Sequence, residues 1–402
     1  MTLAADRPTT TTLEDPAPPA PKLLWLVWGL LVINTLGSQG AITLLPIPRP
    51  VAQMVTMGAV DAAFVFALLL NPKLRLRPSA YLLLLSFLVV VSVVSSLQLE
   101  SGYGALFRCF RYAVFVATLW LLTAWWHDWL AFIRTHIKVL TAVLATVAAG
   151  LVISPGMAMP DLYGGRLVGA IWPLTPPQIG LYSASVVGLV IMLWLGKHTP
   201  RSSVFVIALP ALALLLLSHT RTALLGLVGG LVVAMLSMVA TSTRARKVFT
   251  TALLVSTTVG LLAGAAIQTW FARGQTDLTE LTGRQKVWDG LLAAPRTLSE
   301  KIFGIGLTNK SFGGLPIDSS WLAVYWEQGY LGLALVAAFL LTLLGVAILR
   351  PPSETRAIAL FLIVYSVIAS YTEAGLGDAS PYLLNLCLAA VLLTSVRPGA
   401  ST

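Results

Sequence analysis

The sequence predicts an all-α integral membrane protein, a polytopic bundle of about 12 transmembrane helices with one long extracytoplasmic loop. Three observations predict it. Hydrophobic residues fill 57% of the 402 positions and charged residues only 10%, whereas a soluble domain carries roughly a quarter charged residues. The apolar residues gather into runs near the ~20 residues that cross a bilayer core. Lys and Arg recur in short stretches between those runs, as membrane topology requires. The net charge of +10 follows from that arrangement and predicts no nucleic-acid partner.

The elements follow in order. Residues 1–21 are rich in Thr, Pro and Ala, with Thr9 to Thr12 consecutive. Such a segment buries too little apolar surface to fold, so a disordered cytoplasmic tail is expected. It is too long and too weakly basic to lead a signal peptide, which makes the first apolar run a retained span. Spans are expected near 23–44, 51–70, 80–98, 108–126, 137–153, 179–196, 203–217, 222–240 and 249–268, then 320–349, 357–372 and 381–396. Helices 1–9 thus occupy 22–268, the long loop 269–319, helices 10–12 320–396, and a cytoplasmic tail 397–402. Ser218-His219-Thr220-Arg221 leaves room only for a tight hairpin between two spans. Cys109 and Cys387 stand far apart in apolar runs and form neither a metal motif nor a disulfide framework.

Orientation follows from the short loops. With both termini cytoplasmic, the inner loops hold Lys73, Arg75 and Arg77; Arg134 and Lys138; Lys197 and Arg201; Arg244, Arg246 and Lys247; Arg350 and Arg356. Every one is positive. Outside remain Arg166, Arg221, the mixed charges of 269–319, Asp318, Glu373 and Asp378.

Arg166 and Arg221 run against the positive-inside tendency. An arginine fixed at the boundary either snorkels to lipid headgroups or grips an anion, and its fork of donors suits phosphate. With Arg284 on the same side, the grouping points to an anion site, and the natural anion at that depth is a lipid carrier's diphosphate. Asp318 heads Asp-Ser-Ser-Trp, which reads either as a helix cap or as a general base. Asp61 and Glu327 fall inside apolar runs, where acids serve as relays or as hydrogen-bonded structural groups. His219 lies two residues before Arg221 and can reach a phosphate or simply turn the loop. His127, His136 and His198 fall in the expected cytoplasmic regions without metal-ligand spacing. Trp270, Trp288 and Trp321 can stack on sugars or form an interfacial belt.

These motifs, taken in order, resemble the O-antigen ligase and O-antigen polymerase superfamily of bacterial membrane enzymes. The resemblance rests on Arg166-Leu167-Val168-Gly169 followed by Pro176-Pro177-Gln178, which stands near the family's Pro-Asn element. It continues with Ser218, Thr220-Arg221 and Gly226, then Gly283-Arg284 with Trp288, then Phe303-Gly304-Ile305-Gly306. It ends with Asp318-Ser319 and, nine residues on, Gly329-Tyr330-Leu331-Gly332, with Glu327 just ahead. Ligases of this family place His where Asp318 stands; polymerase-like members commonly carry Asp.

The resemblance implies glycosyl transfer on the outer face of a bacterial cytoplasmic membrane. The donor is a glycan on undecaprenyl diphosphate, and the acceptor is a hydroxyl of a glycan, lipid or cell-wall polymer. Arg221, Arg284 and Arg166 would meet the charge developing on the diphosphate. Asp318 would take the acceptor's proton, and the anomeric centre would invert. His219, Glu327 and Trp288 are candidate substrate contacts. No acidic metal motif occurs in the outer loops, so neither a metal nor another cofactor is expected. The rival reading is a secondary transporter or lipid-linked glycan flippase coupled through Asp61 and Glu327. A membrane scaffold has no use for Arg166 and Arg221.

Overall fold

The computed structural model describes residues 21–37, 43, 44, 46, 48–97, 102–272 and 284–395, without the side chains of Arg49 and 259–272. The two tails, Arg273, Asp277, Glu280, Gly283 and the side chain of Trp270 lie outside the described residues, apart from Pro21 of the first tail.

Each of the predicted apolar runs holds a helix. They are Leu23–Asn34, Arg49–Leu70, Ala80–Ser96, Tyr103–Leu122, Trp129–Ile153, Pro176–Leu195, Arg201–Leu217, Arg221–Val239, Thr243–Ala272, Ser320–Leu349, Glu354–Ser370 and Pro381–Thr394. Among the described residues, 6 helices are long and apolar enough to cross a membrane: Pro50–Leu70, Tyr103–Trp125, Trp129–Ile153, Pro176–Leu195, Arg221–Val239 and Ser320–Leu349. Their outward faces carry large exposed apolar side chains such as Met54, Val152, Leu225 and Leu341. Such a surface suits lipid rather than water. The first helix differs from its expected span of 23–44. Its 12 residues rise only about 18 Å, short of the ~30 Å hydrocarbon core.

Small residues allow one close helix contact. On Arg221–Val239, a Cβ at Gly226, Gly229 or Gly230 would come within 2.9 Å of Tyr365, Ile368 or Phe361. Their absence lets Glu354–Ser370 press against this helix, the usual device where lipid gives no hydrophobic drive for helices to associate. A polar chain ties four more helices. Trp28 Nε1 donates to His136 Nδ1 at 3.0 Å, His136 Nε2 meets Asn385 Oδ1 at 3.1 Å, and Asn385 Nδ2 donates to Ser185 Oγ at 3.1 Å. Because Trp28 can only donate, the His136 proton sits on Nε2. The sequence suggested a loop position for His136. The helix starts eight residues earlier than the expected 137, at Trp129, and carries the imidazole into the core.

The basic loops meet at one end of the bundle. Arg134 donates to the His198 carbonyl, Arg244 to the Trp194 carbonyl, and His198 pairs with Glu354 at 3.1 Å.

The long loop has structure of its own. Two short helices, Arg284–Ala293 and Leu298–Phe303, precede a two-stranded hairpin, Ser311–Phe312 against Leu315–Pro316. Thr297 and Glu300 form a capping box on the second helix. Val287, Leu291, Ile317 and Ala323 make a small separate core that docks this segment on the start of Ser320–Leu349.

That last helix is broken at Gly329, whose φ of 66° and ψ of −163° suit glycine alone. The break faces the turn at Gly304, where a Cβ would lie 2.2 Å from the Glu327 carbonyl oxygen. A Cβ on Gly329 would lie 2.3 Å from the Ile302 carbonyl oxygen. The two glycine motifs singled out in the sequence are therefore the two halves of one backbone crossing.

Candidate anion-binding site

The hairpin between Arg201–Leu217 and Arg221–Val239 builds the first part of the site. Ser218 Oγ donates to the Leu215 carbonyl at 2.7 Å, and Thr220 Oγ1 donates to the Pro176 carbonyl at 3.0 Å. His219, in the left-handed region at φ 48°, turns the chain between them. Pro176 opens its own helix, and Gln178 Oε1 accepts from the Thr175 amide at 3.2 Å. Gly180 lets the hairpin close on that helix, since a Cβ there would sit 2.7 Å from Thr220 Cβ.

Arg166 is held against this hairpin. The Leu167 amide donates to the Leu217 carbonyl at 3.1 Å, and Arg166 Nε donates to the Ser218 carbonyl at 3.0 Å. Arg221 starts the next helix, one residue past Thr220. Among the described residues its Nε and Nη2 are buried and meet no hydrogen-bond acceptor. Donors left in that state are costly unless a ligand satisfies them.

The other half comes from the far end of the chain. Arg284 Nε pairs with Asp318 Oδ2 at 3.1 Å. Thr222 and Thr372 hydroxyls meet at 2.5 Å, which draws the 371–380 loop to the hairpin. Trp288 packs edge-on against Tyr371 with ring centroids 5.6 Å apart, so the Arg284 helix rests on the same loop. Ser320 Oγ donates to the Glu373 carbonyl at 2.6 Å.

Electrostatics shows the outcome. Burial pushes the Glu373 carboxyl up to about 7; Arg284 and Arg166 pull it down, and Asp318 pushes it up. Burial lowers the Arg166 guanidinium from its ordinary value; Glu373 opposes the shift, and Arg284 and Arg221 add to it. Arg166, Arg221, Arg284, Asp318 and Glu373 thus share one electrostatic neighbourhood. Three guanidiniums face two carboxylates, one of them largely protonated below pH 7, which leaves an excess of positive charge.

Beside this cluster, a cleft of about 740 Å³ opens between the Arg284 helix and the start of Ser320–Leu349. Leu292, Pro295, Arg296, Trp321, Tyr325 and Leu333 line it. Arg296 stacks over Tyr325 and Trp326, with its Cζ 4.7 and 5.0 Å from the ring centroids. The elements that carry Arg284 and Asp318 also wall the cleft.

The sequence-predicted residues therefore divide. Arg166, Arg221, Arg284 and Asp318 come together, with Trp288 as the buttress beneath them. Asp318 is not the helix cap. Ser319 takes that position, and the Asp318 side chain turns to Arg284 instead. Glu327 stands apart. It is 1% exposed, and its Oε1 accepts from the Thr308 amide and hydroxyl at 2.8 Å each and from the Lys310 amide at 3.3 Å. It stands nine positions beyond Asp318, and the turn after Gly306 engages its Oε1. Asp61 sits on an exposed face of Arg49–Leu70. Trp321 Nε1 donates to Ser370 Oγ at 3.0 Å while its ring borders the cleft.

Sequence reading missed Glu373. Its only signal was a carboxylate left in a short outer loop, and nothing local linked it to arginines as far off in sequence as Arg284 and Arg166.

No known protein family and no curated protein matches the chain.

Proposed function

We propose that this protein is a membrane glycosyltransferase of the O-antigen ligase or polymerase kind. It moves a glycan from an undecaprenyl-diphosphate carrier to an acceptor hydroxyl. The observation that carries the reading is the convergence of Arg166, Arg221 and Arg284 on Asp318 and Glu373. Arg166, Arg221, Arg284 and Asp318 come from four motifs spread over some 150 positions, all of which the family resemblance had singled out; Glu373 is added by the fold.

The chemistry follows from the arrangement. The diphosphate of the donor lies among the three guanidiniums. The acceptor oxygen attacks the anomeric carbon as the sugar–phosphate bond breaks. The bond's electron pair leaves on the diphosphate, and the arginines meet the growing charge with little reorganisation. Among the described residues Asp318 is held by Arg284 through Oδ2, and its other oxygen would take the acceptor's proton. Attack from the opposite face inverts the anomeric centre. The aromatic cleft beside the pair offers stacking surfaces to the sugars. On this reading the twelve helices form the membrane bundle of a bacterial cytoplasmic membrane, both termini are cytoplasmic, and the arginine cluster is extracytoplasmic.

The transporter reading gains little from the two acids that suggested it, since Asp61 faces outward and Glu327 is buried and holds the 308–310 turn through Oε1.

The test is transfer in reconstituted membranes. Proteoliposomes receive a diphosphate-linked oligosaccharide and candidate acceptors, with chelator present. The expected result is chain extension or transfer by wild type, lost in Arg284→Ala and Asp318→Asn proteins that remain folded. Movement of the lipid-linked glycan across the bilayer without transfer would replace this reading by the flippase.

A further inference from the structure

A second cluster of cations meets the 371–380 loop at Asp378. Arg111 Nη2 pairs with Asp378 Oδ2 at 3.2 Å, and Lys310 Nζ approaches the same oxygen at 3.7 Å. Arg108 donates to Asn309 Oδ1 and lies near enough to lower the Asp378 carboxyl, as Arg111 and Lys310 also do. Asp378 Oδ1 accepts from the Ala379 amide at 2.6 Å. Glu327, the other carboxylate facing Lys310, is engaged by Thr308 and the Lys310 amide. Three cations therefore answer two carboxylates, of which Asp378 has both oxygens engaged and Glu327 its Oε1.

Donors are left over. Among the described residues, Arg111 Nε is buried without an acceptor, and Lys310 Nζ makes no hydrogen bond, because 3.7 Å exceeds that range. The three cationic side chains remain open to solvent in part, Lys310 and Arg111 at 23% and 20%. Lys310 itself is fixed in the left-handed region at φ 54° by the Glu327 carboxylate and by the Ile317 amide, which donates to its carbonyl at 2.7 Å.

That last bond also sets the distance to the chemistry. Ile317 adjoins Asp318, so the Lys310 Cα lies no more than about 11 Å from the Asp318 Cα. Glu373 and Asp378 are five residues apart on one loop, at most about 18 Å. The second cluster is thus beside the general base, and it is built from different cations: Arg111, Lys310 and Arg108 act on Asp378, whereas Arg284 and Arg166 act on Glu373.

We infer that Arg108, Arg111 and Lys310 bind a second phosphate group, the one carried by the acceptor, while the first cluster holds the donor's diphosphate. The assignment to the acceptor rests on the glycosyl-transfer reading above; the presence of a second anion site does not. A short oligosaccharide bridges the separation between a phosphate bound at Lys310 and a hydroxyl at Asp318. An acceptor that is itself phosphate-linked then has its far end presented to the base.

The experiment is calorimetric titration of the full chain in zwitterionic nanodiscs with farnesyl diphosphate, and with inorganic diphosphate as competitor. Wild type is expected to bind two equivalents of farnesyl diphosphate. The double variant Arg108→Gln, Lys310→Gln should bind one, with affinity at the lost site down at least tenfold. Arg284→Ala should lose the other, and Lys310→Arg should keep both. Inorganic diphosphate should compete at the second site, since the phosphate is what is recognised; failure to compete there overturns the inference. Two equivalents retained by the folded double variant also overturn it, as does a wild type that binds one equivalent lost only with Arg284→Ala. In that last case the donor site and the proposed function stand. If the double variant loses an equivalent while Arg284→Ala loses none, the second site stands and the donor reading fails. Thermal unfolding midpoints equal to wild type certify the variants as folded.

Discussion

Asp318 and Glu327 are two acids nine residues apart at one end of the same helix, and their surroundings differ. The Asp318 side chain is 35% exposed and held through one oxygen by one arginine. Glu327 is 1% exposed and accepts three hydrogen bonds from a turn that folds over it. Each acid is held through one oxygen, so exposure is what separates them: a carboxylate that is to take a proton must be reachable, and one that fixes a turn can be sealed. On the proposed reading the first serves chemistry and the second architecture.

The largest effect expected from this contrast is on rate. Asp318→Asn should lower glycan transfer by about 10²- to 10⁴-fold, and Arg284→Ala by about 10²- to 10³-fold. Both should leave the unfolding midpoint in nanodiscs near wild type. An active Asp318→Asn enzyme would end the distinction between the two acids.

Glu327→Ala should do the reverse. It leaves the Thr308 amide and hydroxyl and the Lys310 amide without their acceptor, at a cost of about 3 kcal/mol or more. Thermal unfolding should show a clear fall, partly restored by Glu327→Gln, which keeps one acceptor oxygen. A Glu327→Ala protein of normal stability and no activity would make Glu327 a participant in the chemistry after all.

Gly329 sharpens the comparison, because the break there lets the turn reach Glu327. Gly329→Ala places a methyl 2.3 Å from the Ile302 carbonyl oxygen in a backbone region nearly closed to alanine. A loss of about 2 to 3 kcal/mol is expected from the backbone alone. Hydrogen exchange should show the 304–310 turn loosening while the hairpin at 218–221 stays protected.

The smallest effect concerns Glu373, a third acid whose carboxyl is raised to about 7. Between its ordinary value of 4.5 and about 7, the folded chain holds a proton that the unfolded chain releases. This group's contribution to stability is therefore full below pH 4.5 and is lost as pH rises through 7. Above 7 the new negative charge also opposes an anionic ligand. Affinity for inorganic diphosphate should weaken a few-fold between pH 6 and 8, and Glu373→Gln should flatten that part of the profile. An unchanged profile in Glu373→Gln would remove Glu373 from the site.

Much of this was legible in the chain. Long apolar runs place helices because a bilayer leaves the backbone no partner but itself, and each expected run holds one. Boundaries were less legible. Residues 129–136 mix aromatic and basic side chains with apolar ones, and 103–107 precede Arg108 with Tyr103 and Gly104 among them, so the helices there begin earlier than hydropathy alone indicates. Arg166 and Arg221 were legible as charges in short loops that the expected topology puts on the costly side, and Arg284 as one of the charges of the long loop. Glu373 was visible as a charge without an address. Arg108 and Arg111, at the start of an apolar run, gave no sign of meeting Lys310.

The sequence by itself determined that the chain is helical and apolar, which loops are positive, and which few polar residues have no business at the boundary. Those are properties of composition and local pattern, and each residue reports them alone. Only the tertiary structure decided which charges share a field. Asp318 turns to Arg284 rather than capping its helix, and Glu327 closes a turn rather than joining the arginines. Arg111 and Lys310 meet at Asp378. Such pairings depend on contacts between residues up to 267 positions apart, and an ion pair's strength depends on distance and burial, neither of which is written in the order of residues.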